Sequence, residues 1–300
     1  MEIKEISPED FDRVFPRRPT VYDSGAFNML NATKAERIAA LVGFDEGGKP
    51  LMGQIFGLRE GLWRAPFSAP FSAASVMDNI DRDKAVADFY ASVPAILGGR
   101  VRLVWPSAFY GAGTPPEGVD VVEEANFHYD MSRFADFESY LSRSGRYNHH
   151  RAKKHSFDFF KTDDIGRAYA VIEANRRAMG YPLAMTLEQV IATVSGPVRA
   201  DFFVMTLDGM DIAAAMLYEA AAGVMQVIYW GDLPEGRPAR AMNHMAWRVF
   251  GWYAENRPDI RIVDIGPAST GGIRNEGLCQ FKLSVGCTET PRPTIFLNNY

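Results

Sequence analysis

The 300-residue chain holds only two cysteines, Cys279 and Cys287. Two thiols without a companion His or Cys ligand spacing exclude both a disulfide framework and a zinc site. A reduced, cytoplasmic compartment is the expectation that follows. Excess positive charge is missing as well. Thirty-two Lys and Arg stand against 37 Asp and Glu, a net charge of −5, which excludes the basic field of a general nucleic-acid binder while leaving a local patch open. No long apolar run is present. The most membrane-like stretch, Met210 to Trp230, is broken by Asp211, Glu219 and Gly223, and reads as two buried strands joined by a turn. The opening Met1–Asp10 is acidic and lacks the apolar segment of a signal peptide. A nucleophile elbow, a Walker loop and a dinucleotide fingerprint are all absent. His149, His150 and His155 have no Cys or carboxylate at a recognised ligand spacing, so no metal is expected.

What is there is apolar mass, 47% of residues, in a length that suits two domains. The same order of elements occurs twice. In the first half, Ile38–Phe44 and Pro50–Leu58 read as a hairpin around Asp45–Lys49. A third extended run covers Leu62 to Phe71. Asp81 then caps a helix to about Leu97, stopped by Gly98-Gly99. Val101–Trp105 and Val119–Met131 are further strands. In the second half, Ala200–Leu207, Ile212–Ala221 and Val224–Trp230 form a meander. A loop from Gly231 to Pro238 leads into a helix over Ala239–Glu255, and strands follow at Ile260–Ile265 and Thr288–Leu297. Between the copies lie a helical segment from Phe137, a strand at Ser156–Lys161, an amphipathic helix at Ile165–Met179 and a helix capped by Thr186. The chain is therefore expected to divide into residues 1–135 and 136–300, each α/β.

Strand, two helices, meander, loop-entered helix and two strands is the element order of the GNAT acyltransferase fold. The text also resembles that superfamily. Phe137-Glu-Ser-Tyr-Leu-Ser-Arg-Ser-Gly-Arg-Tyr-Asn-His-His-Arg-Ala-Lys-Lys154 is similar to the segment opening the second GNAT-like domain of FemAB-type transferases. Val263-Asp-Ile-Gly-Pro267, followed by Leu278-Cys-Gln-Phe-Lys-Leu-Ser-Val-Gly286, is similar to their closing pattern. The resemblance is best over 135–300. It implies two tandem GNAT-like domains, each a mostly antiparallel splayed sheet flanked by helices. It also implies acyl transfer from a thioester or ester to an amine, in bacterial-type enzymes.

Physical requirements select the candidate residues. Donor phosphates call for a helix start, and the loop Gly231–Arg240 sits where a GNAT enzyme places one. Gly236 supplies backbone freedom, while Arg237 and Arg240 add charge. The acyl-CoA signature Arg/Gln-x-x-Gly-x-Gly/Ala is not met, because Arg240 occupies the first glycine position in Arg237-Pro-Ala-Arg-Ala-Met242. Asp264 shares a strand face with Ile260 and Ile262. It reads as a buried carboxylate for deprotonating the amine, or as a structural cap of the Gly266-Pro267 turn. The resemblance assigns Lys282 to stabilising negative charge; the plainer alternative is an exposed strand lysine between Phe281 and Leu283. Tyr229 and Trp230 end the third meander strand, where backbone N–H groups can reach an acyl carbonyl, and Tyr218 is a proton donor to a leaving thiolate. Cys279, beside Leu278, has no thiolate setting. Arg146, Arg151 and Lys154, with Arg143 and Lys153, form the densest positive patch, either a solvated helix face or a site for a phosphate-bearing substrate.

Three functions stay open on the sequence. The first is an N-acyltransferase with acyl-CoA as cosubstrate and a small-molecule amine as acceptor. The second is transfer from aminoacyl-tRNA to a cell-wall precursor, with Lys282 central. The third is a non-catalytic GNAT-like ligand- or protein-binding module, supported by the altered phosphate loop.

Overall fold

The protein is described by a computed structural model over residues 1–116 and 120–298. Met1–Glu124 with Pro291–Tyr300 make one compact unit, and Ala125–Thr290 make a second. The first unit thus takes back the C-terminal stretch that the sequence reading places in the second domain.

The first unit runs β1 (Glu2–Ile6), α1 (Pro8–Val14), α2 (Gly25–Leu30), β2 (Arg37–Phe44), β3 (Pro50–Arg59), β4 (Leu62–Ala65), β5 (Ser75–Val76), α3 (Arg82–Leu97) and β6 (Val101–Val104). Helix α3 starts and stops as the sequence dictates. The Asp81 carboxylate accepts the Lys84 N–H, and Gly98 ends the helix in the left-handed region at φ 67°. The expected extended run Leu62–Phe71 is a strand only as far as Ala65. Pro66 and Pro70 have no N–H to give a ladder, so pairing stops there. The N-terminal elements β1, α1 and α2 had no counterpart in the sequence reading. Pairing in this unit is antiparallel except between β4 and β6, which are parallel. Leu41, Phe56, Phe89, Val93 and Trp105 sit in its core.

The second unit continues with β7 (Val121–Asp130), α4 (Arg143–Ala152), β8 (Phe157–Lys161), α5 (Ile165–Met179), α6 (Leu187–Val194), β9 (Ala200–Leu207), β10 (Met210–Ala221), β11 (Val224–Asp232), α7 (Ala241–Asn256), β12 (Ile262–Pro267), β13 (Ser269–Thr270), β14 (Ile273–Arg274) and α8 (Glu276–Ser284). Last comes β15 (Thr288–Leu297), whose Thr294–Leu297 pairs with β6 of the first unit's sheet. The strand expected from Val119 begins at Val121; Val119 lies outside the described residues. The second unit's strands lie in the order β7-β12-β11-β10-β9-β8. Alternation along the strands gives this sheet two apolar faces. Phe203, Met205 and Leu217 pack with Met245 and Phe250 of α7. Phe202, Val204 and Met216 pack with Ile172 of α5 and Val190 of α6. The fold is mixed α/β, with helices against a splayed, mostly antiparallel sheet. No helix among the described residues is long and apolar enough to cross a membrane.

Candidate active site

The site begins with a failure of strand pairing. β11 and β12 are parallel and in register for Val224↔Ile262, Met225↔Val263 and Gln226↔Asp264, and then part. Each strand carries a bulge just past that point. On β11, Ile228 is the extra residue between Val227, opposite Leu217, and Tyr229, opposite Met216. On β12, Ile265 and Gly266 face a single residue of β7, between the pairs Asp264↔His128 and Pro267↔Asn126. Bulges bend strands, and Gly266 takes φ +74°, which a residue without Cβ adopts freely. The result is a V whose inner backbone edges face a cleft of about 990 Å³.

Asp264 and Lys282 hold that V open. Asp264 is fully buried, and its Oδ1 accepts the Gly266 N–H at 2.9 Å and Asn126 Nδ2 at 2.8 Å. Gln226 Nε2 donates to Oδ2 at 3.3 Å. Lys282 projects from α8 and donates to the carbonyls of Ile265, Gly266 and Pro267 at 2.9, 2.7 and 2.9 Å. An ammonium has three N–H donors, and three consecutive carbonyls engage them. Lys282 is therefore neither exposed nor on a strand. It lies in a helix, 3% exposed, on the cleft floor. Asp264 does not reach the cleft lining; its bond to Gly266 is that of a turn cap.

The polar end of the cleft is the start of α7. Its N-cap residue is Arg240, at φ 61° and ψ 41°, with no side-chain cap on the first turn. A non-glycine residue in this region costs roughly 1 kcal/mol. The loop thus keeps a left-handed backbone at the position where the CoA signature has glycine, and adds a guanidinium there. Gly236 works differently from the expectation. It sits in a 3-10 turn without positive φ, and a Cβ there would lie 2.9 Å from that of Ala241. Close packing, rather than backbone freedom, requires it. Arg237 lies 3.6 Å from Asp232, the terminal residue of β11. Burial pushes the Asp232 carboxyl above its usual range, and Arg237 opposes the shift. Asn175 of α5 fixes that strand end by donating to the Asp232 carbonyl at 2.6 Å.

Tyr229 and Trp230 point to opposite sides of β11. The Tyr229 hydroxyl accepts the Ala184 N–H at 3.1 Å, its ring lies 5.2 Å from the Arg176 guanidinium, and burial raises its pKa. Trp230 meets the ring of Phe281 edge-on at 6.1 Å. Both line the cleft. Tyr218 does not. It is buried in β10, its hydroxyl has no hydrogen-bond partner among the described residues, and burial pushes its pKa well up. Cys279 is buried too. Arg146, Arg151 and Lys154 are exposed on α4 or just beyond it, and none lines the cleft. Arg146 donates to the Glu138 carbonyl, and Arg151 lies over Tyr147. Among the described residues no group of three or more His, Cys, Asp or Glu could hold a metal.

The structure therefore gathers Tyr229, Trp230, Arg237, Arg240 and Lys282 around one cleft, and sets Asp264 behind it. Two charged lining residues escaped the sequence reading. Asp232 was hidden inside a loop read only for phosphates. Arg176 was one polar residue of an amphipathic helix; its buried Nε has no partner among the described residues.

No family model matches the chain, and no curated protein matches it in sequence. Solved structures do match. FemX is similar over 98% of this chain and 96% of its own, with a TM-score of 0.65 at 11% identity. L-PGS from Bacillus licheniformis is similar over 99% and 94%, with a TM-score of 0.61 at 12% identity. A tandem GNAT protein from the clavulanic acid biosynthesis pathway is similar over 99% and 98%, with a TM-score of 0.55 at 12% identity. At such identities the likeness is one of fold: the chain shares the mixed α/β, GNAT-type fold of these structures.

Proposed function

We propose that this protein is an N-acyltransferase that moves an acyl group from a coenzyme A-type thioester to an amine. One observation carries the reading: the unpaired inner edge of β11 and the start of α7, which has no side-chain cap, line a single cleft and are joined by one short loop. A helix N-terminus with Arg237 and Arg240 suits donor phosphates. The open strand edge suits the amide-bearing arm of the donor, which adds to it as a short strand would. Backbone N–H groups on that edge, in the bulged stretch after Gln226, suit the oxyanion that forms as the amine nitrogen attacks the thioester carbonyl. The C–S bond then breaks and the thiolate leaves, while the amine's proton passes to a base. Asp232, which lines the cleft and whose affinity for a proton burial raises, fits that last task through intervening water, since it stands beside Arg237 at the phosphate end; Asp264 does not reach the lining. Asp264 and Lys282 act as positioning residues that preset the splay.

Calorimetric titration with CoA and acetyl-CoA tests the reading. Micromolar binding that an Arg237→Ala/Arg240→Ala variant loses is the expected result. A folded protein that binds neither would defeat it. One observation favours a second donor, aminoacyl-tRNA: the exposed cations Arg143, Arg146, Arg151 and Lys154 cluster around α4. Binding of tRNA that falls when these are replaced, with no CoA binding, would move the assignment there.

A further inference from the structure

The cleft lining is mixed, with Ser269, Thr270 and Asn275 beside the apolar side chains of the β13–α8 stretch. At the α7 end stand Asp232, Arg237, Arg240 and Asn243; at the other stand Trp230, Pro267, Leu278, Phe281 and Ile273. Large apolar side chains exposed to solvent are a cost that a folded chain places with purpose when they cluster. Ile273 and Leu278 are two such residues on the β13–α8 side of the cleft, while Met179, also exposed, accepts from Arg237 at the α7 end. Ile273 is the extreme case, 79% exposed on the short β13–β14 hairpin, whose Gly271-Gly272 tip has positive φ at both residues. Lys282, the cation beneath this wall, donates to three backbone carbonyls. Its three N–H donors are thus engaged by backbone, although its charge stays beneath the wall.

The vertex of the V adds a directional constraint. Beyond Val227 and Ile265 the strands rejoin at Gln226↔Asp264, and both of those side chains are buried and hydrogen-bonded to each other. An acyl group lying past the thioester therefore has little depth to enter. A longer one has to turn outward, over Trp230 and Phe281 toward Leu278 and Ile273. We infer that the donor's acyl group is a medium or long hydrocarbon chain, seated on the wall formed by Trp230, Phe281, Leu278 and Ile273. This rests on the acyltransferase reading and extends it from the transferred bond to the transferred group.

Two ligand ladders test it. Acetyl-, butyryl- and octanoyl-CoA are titrated into the full-length protein by calorimetry, beside acetyl- and octanoyl-pantetheine, which carry no phosphate. Burying six further methylenes, even in part, gives octanoyl-CoA an affinity about tenfold or more above that of acetyl-CoA. The Ile273→Asn/Leu278→Asn variant replaces two solvent-facing residues without adding charge. It is expected to cut that gain to about twofold or less, with CoA itself bound as tightly as before. Equal affinity for acetyl and octanoyl thioesters in both ladders overturns the inference and gives the apolar wall to the acceptor. A chain-length gain that survives in the double variant also overturns it. Failure of the donor reading looks different: the CoA ladder is silent while octanoyl-pantetheine still outbinds acetyl-pantetheine, and only in the unsubstituted protein.

Discussion

Among the described residues each unit holds one parallel strand pair in register for three residues, and the two units treat the gap beyond it in opposite ways. In the first, β4 and β6 run from Trp63↔Val101 to Ala65↔Leu103. The chain then folds back into the space it has just opened. Ser72 donates its N–H to the Val104 carbonyl, Ser75 and Val76 pair with Gly53 and Met52 of β3, and Phe71, Ala73 and Ala74 are fully buried. A buried carboxylate secures this strap: Asp23 accepts N–H groups from Ala73 and Thr20 and the Thr20 hydroxyl. In the second unit, β11 and β12 part in the same manner, but bulges and the Lys282 ammonium keep the gap empty. A splayed parallel pair is thus a general feature of this architecture. Whether it becomes a site depends on which backbone satisfies the freed edge, the protein's own or that of a ligand.

The contrast breaks most visibly at Lys282. Lys282→Met leaves three backbone carbonyls without their donor, at least two of them buried, and is expected to cost about 3 kcal/mol or more in urea unfolding, together with donor binding. A variant as stable as the parent, still binding CoA, would remove the clamp from the account. In the first unit the corresponding test is Asp23→Asn. Burial pushes the Asp23 carboxyl up to about 6 from an unfolded value of 3.8. The folded protein therefore holds this proton more tightly than the unfolded chain. Its contribution to stability is full below the unfolded value and declines as the pH rises to about 6, by up to roughly 3 kcal/mol. Urea titrations across that window should show the decline in the parent, a flatter course in Asp23→Asn, and unchanged CoA affinity in both.

Smaller effects sharpen the comparison. Arg240→Gly relieves the left-handed backbone and is expected to raise stability by about 1 kcal/mol while weakening CoA about tenfold. Thermal melts and calorimetry on one sample read both, and a loss of stability would contradict the strain assigned to that residue. Arg146→Ala/Arg151→Ala/Lys154→Ala should change stability by about 0.5 kcal/mol or less and leave CoA affinity untouched. A marked loss of CoA affinity would extend the site beyond the cleft.

Local signals in the sequence carried most of the elements. Asp81, Thr186 and Gly180 mark helix ends by chemistry confined to a few neighbouring residues, and the structure caps or ends the helices there. The site was half visible for the same reason. Arg237 and Arg240 lie on a loop between a strand and a helix, and Trp230 and Tyr229 at a strand end, where position implies exposure to a cleft. Asp264 drew notice because a buried carboxylate needs an explanation, and Lys282 only through the resemblance. Their roles rest on carbonyls and amides across a bulge, and a bulge leaves no mark in the hydrophobic pattern. Asp232 and Arg176 were invisible because each is polar at a position where solvent is the ordinary neighbour. Only the splay turns them inward.

The strand that completes the first unit's sheet is β15, whose Ile295 and Leu297 are buried in that unit's core. In order of synthesis, every residue of the second unit precedes this stretch. The first unit consequently waits, with the edge of β6 bare, while the whole of its neighbour is made. The order of maturation is then the reverse of the order of the chain: the unit that holds the cleft can finish first, and the half that emerged earliest closes last. A pause, nick or early stop in the final dozen residues would spare the cleft's own residues and leave the N-terminal sheet as the exposed, sticky partner in misassembly.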